Sequence, residues 1–218
     1  MKGIFEFVNR IIAGDCVKVM QEMPTGSIDF IATDPPYLVN YTSRDGRSVA
    51  NDDRDEWLMP AFGEMYRVLK YNSFLVCFYG WNRLDRFFAA WKQAGFHPVG
   101  HLVYVKPYHS NGGYVRYSHE EAYLLAKGVP DTPPVLLRDV LEWQYTGNTL
   151  HPTQKPVMAM LPLIMAFSRV REIVLDPFVG SGTTAVAAKQ LGRRFIGIEI
   201  DPIIAQQADE RVKQTGKG

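Results

Sequence analysis

Segments with the pattern of buried strands alternate along this chain with segments of helical periodicity. Residues 28–32 form a mostly apolar run rich in β-branched and aromatic residues, which is typical of a buried strand. Apolar residues then recur at helical spacing over residues 56–70, and a second buried strand follows at residues 74–79. This alternation predicts an α/β protein with a layered, mostly parallel sheet. Strands at residues 100–106 and 121–126 are predicted to pair as a hairpin that forms its antiparallel edge.

The other predicted elements continue the same alternation toward both ends of the chain. They are short strands at residues 11–16 and 195–199, a strand that ends at Asp176, helices over residues 17–23, 81–94, 157–168 and 185–191, and a last helix that begins at Asp201. Residues 129–150 show no core pattern and are predicted to be an irregular insertion.

Length and composition favour a single domain with a core of its own. The chain has 218 residues, 46% of them hydrophobic. Its net charge of +1 excludes a highly basic protein but does not decide for or against a nucleic-acid partner. Cys16 and Cys77 are isolated thiols without a CxxC pattern, which is typical of a reducing cytosol. Because no signal peptide and no long apolar span is present, we expect a cytoplasmic protein outside the membrane.

The strand at residues 28–32 is followed at once by a carboxylate, two prolines and an aromatic ring. Pro35 and Pro36 cannot donate to a sheet ladder, so they end the strand, and ligands bind at such strand ends in α/β sheets. Asp34 and the Pro35 carbonyl could accept both N–H bonds of an amino group on a flat heterocycle that stacks on Tyr37. Holding those hydrogens out of the ring plane would make the nitrogen a better nucleophile. The alternative is an ordinary turn, because Asp-Pro-Pro is good turn chemistry.

A second strand end runs into a glycine-rich turn. Gly180, Gly182 and Ala185 fit the G-x-G-x-x-G/A fingerprint, and Glu199 stands where an acid commonly holds two ribose hydroxyls. This pattern indicates a cofactor that contains adenosine. Asp176, before the turn, could hold the ammonium of a methionine group. That carboxylate, and the amine-binding turn at Asp34, favour S-adenosyl-L-methionine over NAD.

The histidines do not have the spacing of metal ligands. They are His97, His101, His109, His119 and His151, and neither HExxH nor a Cys/His ligand pattern occurs. No metal site is predicted, and methyl transfer from a sulfonium needs none.

Together these motifs resemble the amino-methylating DNA methyltransferases in the branch where the catalytic motif precedes the cofactor motif. The matching segments are Asp34-Pro35-Pro36-Tyr37, His151-Pro152-Thr153-Gln154-Lys155-Pro156, Asp176-Pro177-Phe178-Val179-Gly180-Ser181-Gly182-Thr183-Thr184, Gly14-Asp15-Cys16, Val105-Lys106-Pro107 and His119-Glu120. The resemblance implies catalytic roles for Asp34, Pro35, Pro36 and Tyr37. It implies cofactor-binding roles for Asp15, Cys16, His151, Thr153, Lys155, Asp176, Pro177, Phe178, Gly180, Ser181, Gly182, Thr183 and Glu199. A cap for the following helix is the alternative for Thr153.

The resemblance further implies a Rossmann-like methyltransferase fold with a seven-stranded sheet in permuted order. One domain, 1–218, would hold a catalytic half at about 11–127, the insertion at 129–150 and a cofactor half at about 151–214. The implied reaction transfers a methyl group from S-adenosyl-L-methionine to the N6 amino group of an adenine flipped out of double-stranded DNA, leaving S-adenosyl-L-homocysteine. A homodimer and a cognate restriction endonuclease stay open as partners.

Three alternatives remain, together with two departures from the family pattern. Methylation of cytosine N4 uses the same chemistry, although Asp at the first motif position is typical of adenine enzymes. Protein or RNA methyltransferases usually place the cofactor motif first, and a degenerate DNA-binding module would have lost the motifs that stand here. Ile203 and Ile204 occupy a region where the family often has a tyrosine. Only the loops 40–55, 107–118 and 129–150 are available to read DNA, which argues against an elaborate recognition site.

Overall fold

The computed structural model describes residues 2–39, 52–111, 113–143 and 155–216. Its strands are β1 (Arg10–Ala13), β2 (Ile28–Thr33), β3 (Leu69–Phe78), β4 (His97–Asn111), β5 (Arg116–Lys127), β6 (Val140–Glu142), β7 (Ile173–Asp176) and β8 (Arg194–Glu199). Its α-helices are α1 (Cys16–Gln21), α2 (Leu58–Val68), α3 (Leu84–Ala94), α4 (Val157–Phe167), α5 (Thr183–Gln190) and α6 (Pro202–Gln214), with single 3₁₀ turns at Ile4–Glu6 and Trp81–Arg83. Within these residues, no helix is both long and apolar enough to cross a membrane.

The strands of the described residues form one sheet in the order β1-β8-β7-β2-β3-β5-β4-β6. Neighbouring strands are parallel except where β5 pairs with β3 and with β4. The sheet is therefore the α/β, mostly parallel sheet that the sequence predicts. It has eight strands, one more than the predicted seven.

The predicted antiparallel hairpin exists, but it does not form the edge of the sheet. β5 inserts between β3 and β4, and β6 then pairs in parallel with β4 through Val103, Tyr104 and Val105. β6 comes from the segment 129–150 that was predicted to be irregular throughout. Three residues are too few to show a strand period in the sequence, so the edge strand forms only because β4 offers it a partner.

The hairpin is also longer than its sequence predicts. The strand predicted at residues 100–106 stops before Pro107, a residue that cannot donate to a ladder, yet β4 continues to Asn111 and pairs again where Ser110 lies opposite Tyr117. The register shifts between Val105 and Ser110, so the proline falls in an irregularity of the ladder where no backbone donor is needed.

Helices cover both faces of the sheet and bury two apolar clusters. On one face, Phe62 of α2 and Trp91 of α3 are completely buried against the strands. On the other face, Leu163 and Ile164 of α4 and the alanines of α5 fill the corresponding layer. Burying both faces explains why the central strands read as continuous apolar runs in the sequence.

Candidate active site

A cavity opens at the carboxyl ends of β2, β7 and β8. β2 and β7 are direct neighbours in the sheet, with Ile31 opposite Leu175. From β7 the chain continues through α5 to β8, which lies on one side of the β7–β2 pair. From β2 it continues through α2 to β3, which lies on the other side of this pair. The cavity therefore lies at a point where the strand order reverses, which is where ligands bind in open α/β sheets.

Most of the site residues that the sequence predicts line this one cavity. They are Asp15, Cys16, Asp34, Pro35, Pro36, Tyr37, Lys155, Asp176, Pro177, Phe178, Gly180, Ser181, Thr183 and Glu199. His151 and Thr153 lie outside the described residues.

Gly182 was grouped with the cofactor turn but does not line the cavity. It is the N-cap of α5 and has a φ of 85°, and a Cβ at this position would lie 3.3 Å from the backbone oxygen of Ala208. The structure therefore gives Gly182 a packing role between α5 and α6.

Asp34 directly follows β2, and two neighbours hold its carboxylate. The Tyr37 hydroxyl donates to Asp34 Oδ1 at 2.7 Å, and Lys155 Nζ lies 2.8 Å from Oδ2. Burial, followed by the charge of Asp34, raises the pKa of Tyr37, so its hydroxyl stays protonated and keeps donating. Each oxygen of the Asp34 carboxylate therefore already has a protein partner.

Lys155 was predicted to bind a cofactor; its side chain lines the cavity, and its ammonium group lies beside Asp34. Its side chain is almost completely buried and also donates to the Tyr37 oxygen at 3.0 Å. Burial opposes its charge, but Asp34 and Glu120 offset this and raise the pKa of Lys155 above its ordinary value. Lys155 is therefore a cation that is tightly paired with the predicted catalytic carboxylate.

Asp176, the last residue of β7, is a buried carboxylate of the cavity. Thr184 donates to its Oδ2 at 2.6 Å, while Thr33 and the Phe178 amide donate to its Oδ1 at 3.1 Å each. Burial nevertheless outweighs these hydrogen bonds and raises the pKa of Asp176 to about 7. Such a group is poised to gain a cationic ligand at neutral pH.

Glu199, the last residue of β8, is hydrogen-bonded to the glycine turn. Its Oε2 accepts the Gly180 amide at 3.0 Å, and its Oε1 accepts the Asp201 amide at 3.0 Å. Burial raises the pKa of Glu199 above its ordinary value. Asp201 in turn caps α6 by accepting the Ile203 and Ile204 amides, so the acid is held on a rigid frame.

Several residues of the site were not found from the sequence. Trp57 lines the cavity and makes an edge contact with Phe178, their ring centroids 4.9 Å apart. Asp52 lines it from a buried position and accepts the Leu38 amide at 2.7 Å. Trp57 was assigned to the core side of a helix because it fits the apolar period. Asp52 falls in a polar stretch whose pattern does not distinguish buried from exposed carboxylates.

One further position acts through close packing. A Cβ on Gly80 would lie 2.9 Å from the Cβ of Tyr37, so this glycine lets the Asp34–Tyr37 turn approach the end of β3. Of the two isoleucines where the family often has tyrosine, Ile204 lines the cavity and Ile203 is exposed. Trp57 and Phe178 supply aromatic surface to the same cavity.

The sheet order and a glycine-rich turn at the strand ends define a Rossmann-like α/β protein with a cofactor-sized site. The sequence model of the N6/N4 DNA methylase family matches residues 28–136 and 136–210, and the chain belongs to this family of DNA methyltransferases.

Individual relatives agree with this assignment. The chain is 59% identical over 193 residues to the Escherichia coli K12 protein named "Putative methylase YubD", covering 88% of this chain and 85% of that one. It is 27% identical to the Type II methyltransferase M.HinfI of Haemophilus influenzae, covering 98% of this chain and 70% of the relative. Among solved structures, the M1.HpyAVI–SAM complex is similar with a TM-score of 0.74 and 25% identity, covering 93% of this chain and 98% of that chain.

Proposed function

We propose that this protein transfers a methyl group from S-adenosyl-L-methionine to the N6 amino group of an adenine flipped out of double-stranded DNA. One observation carries the proposal: Asp34 and the glycine turn at Gly180 line the same cavity, at the ends of adjacent strands. A carboxylate acceptor beside a cofactor turn suits transfer of a group to an amine.

The residues around Asp34 bind and polarise the base. The Asp34 carboxylate and the Pro35 carbonyl accept its two amino hydrogens while the Tyr37 ring stacks on the heterocycle. Positive charge develops on the amino nitrogen during the transfer, and the adjacent carboxylate stabilises it. Much of the rate enhancement comes from holding the nitrogen in line with the group it attacks.

The cofactor half of the cavity fits S-adenosyl-L-methionine, which supplies an electrophilic methyl group on its sulfonium. Gly180 has a φ of 49° and open space around its Cα, so a ligand can approach the backbone there. In this proposal Glu199 accepts the ribose hydroxyls, and Asp176 binds the methionine ammonium. Asp15 uses one oxygen to cap α1 through the Lys18 amide and keeps acceptor positions for the adenine side.

Adenine is proposed over cytosine because the first motif position is Asp34. Both bases present an amine conjugated to a ring nitrogen, so the geometry of the site suits either, and the choice rests on the family pattern.

The test uses purified protein, labelled S-adenosyl-L-methionine and unmethylated bacterial DNA, followed by digestion to nucleosides and mass spectrometry. N6-methyladenine is the expected product, and sequencing of the modified DNA then gives the recognition site. N4-methylcytosine would correct the base and keep the mechanism. Cofactor binding without DNA methylation would contradict the proposed substrate.

Tyr37→Phe is expected to lower the single-turnover methylation rate about 10- to 150-fold. The ring is kept for stacking, but the 2.7 Å hydrogen bond that orients Asp34 is lost, and such a bond to a charged group contributes about 1.5–3 kcal/mol. Rapid-quench measurement of the transfer step checks this. Tyr37→Ala should lose more, because it also removes the stacking surface. Equal rates for the two variants would contradict a separate role for the ring.

The affinity for S-adenosyl-L-methionine is expected to fall as pH falls through about 7. The raised pKa of Asp176 is about 7, so its carboxylate is mostly charged above pH 7. Below pH 7 it is mostly protonated and must lose a proton before it can pair with the ammonium. Between pH 7.5 and pH 6.0 the charged fraction, and with it the affinity, should drop about eightfold. Titration calorimetry across this range measures the change. Asp176→Asn should bind weakly at every pH, whereas Glu199→Gln should keep the slope. A flat profile in the unmodified protein would contradict this role of Asp176.

A further inference from the structure

Four alternating charges extend from the cavity into the β4–β5 hairpin. Lys155 Nζ lies 2.8 Å from Asp34 Oδ2 and 3.9 Å from Glu120 Oε2. The other oxygen of Glu120, Oε1, accepts a hydrogen bond from Lys106. Lys155 therefore lies between two carboxylates, one from the turn after β2 and one from β5.

Under the proposed function, the ammonium of Lys155 competes with the substrate. The amino group of the base must reach the Asp34 carboxylate, where Lys155 is now bound. Moving a buried ammonium away from its paired carboxylate, with no second anion to receive it, would cost several kcal/mol, because the charge would be left uncompensated in a low-dielectric site. A second acceptor within reach removes most of this cost.

We propose that Glu120 is a positioning residue that takes over the Lys155 ammonium when the target amine binds Asp34. This inference rests on the proposed function. The transfer keeps the site neutral overall, since the incoming amine carries no charge. It also frees the full charge of Asp34 for the positive charge that develops on the amine during methylation.

The surroundings of Lys155 suit a short movement of its side chain with a fixed backbone. The Lys155 carbonyl accepts the Thr183 hydroxyl at 3.1 Å, which anchors the backbone to the start of α5. Its ammonium lies 5.0 Å from the ring centroid of Phe78 and 5.9 Å from that of Trp143, so aromatic faces also attract the cation in this part of the site. Glu120 is ready to accept it: burial disfavours its charge, but Lys155 and Lys106 offset this and lower the pKa of Glu120.

The test compares Glu120→Gln, Lys155→Met and the double variant in DNA methylation at saturating S-adenosyl-L-methionine. In Glu120→Gln, Asp34 is the one carboxylate of the described residues that pairs with Lys155, so kcat/KM for DNA should fall at least tenfold while the cofactor dissociation constant changes less than twofold. Adding Lys155→Met removes the competing ammonium. The double variant should therefore be more active than Glu120→Gln alone, a rescue that a purely structural ion pair would not produce.

Glu121→Gln is the matched control. Glu121 is the adjacent carboxylate on the opposite face of β5, where it accepts the Tyr79 hydroxyl at 2.9 Å, and its variant should keep the kcat/KM of the unmodified protein. Unchanged kcat/KM in Glu120→Gln, or a double variant no better than Glu120→Gln, would overturn the inference. Either result, obtained while the unmodified protein methylates adenine, would leave the proposed function standing. An unmodified protein that methylates no DNA would instead overturn the proposed function itself.

Discussion

Replacing Asp34 with alanine is expected to reduce the rate of methyl transfer about 100- to 1,000-fold or more, with little change in cofactor affinity. The carboxylate is the charged acceptor for the reacting amine, and removal of one group that stabilises transition-state charge typically has an effect of this size. Its loss also removes the carboxylate 2.8 Å from the buried ammonium of Lys155 and leaves Glu120 at 3.9 Å. Single-turnover kinetics at saturating DNA measure the transfer step, and calorimetry with S-adenosyl-L-methionine measures cofactor binding.

Asp29→Asn provides a control for general damage to β2. Asp29 lies near the opposite end of this strand, where it pairs with Lys70 and accepts the Ile173 amide at 2.8 Å. The control should lower the free energy of unfolding but keep the transfer rate of the folded fraction. If Asp34→Ala lost cofactor affinity as strongly as it lost the transfer rate, the catalytic role of Asp34 would be wrong.

The strands that carry the site could be predicted from the sequence because two local signals coincide there. The apolar run before Asp34 and the one that ends at Asp176 are buried on both faces, and each run ends at prolines or glycines that cannot extend a strand. The edge of the sheet lacked such signals. β6 depends on pairing with a distant strand, and the effect of Pro107 was overcome by a local shift in register.

The contacts between the motifs could not be predicted, because they join residues far apart in the chain. The Thr33 hydroxyl reaches Asp176 across 143 residues, and Lys155 reaches the Tyr37 hydroxyl across 118. Sequence spacing placed Lys155 with the cofactor motif, whereas packing placed its ammonium on Asp34. The fingerprint includes Gly182 in the cofactor turn, and the structure adds a packing reason for glycine there, because a Cβ would lie 3.3 Å from the backbone oxygen of Ala208. Motifs identify the chemistry of a site, and tertiary packing distributes the roles within it.

Replacing Gly180 with valine is expected to weaken binding of S-adenosyl-L-methionine at least 100-fold while the protein still folds. Gly180 lines the cavity, and beyond its chain neighbours no atom of the described residues lies within 4 Å of a Cβ built on it, so the new side chain would take space that a ligand needs. Its φ of 49° adds a backbone strain of about 1–2 kcal/mol, which a folded domain tolerates.

Gly26→Val separates exclusion of the ligand from backbone strain. Gly26 has a φ of 62° and equally open surroundings, but it lies in the turn before β2 and does not line the cavity. Both variants should lose a similar free energy of unfolding in urea titrations, and only Gly180→Val should lose cofactor binding by calorimetry. Because the strain is matched, the difference between them measures how closely the cofactor approaches the backbone at Gly180. Normal binding by Gly180→Val would remove the glycine turn from the cofactor site, whereas equal loss in both variants would assign the effect to strain.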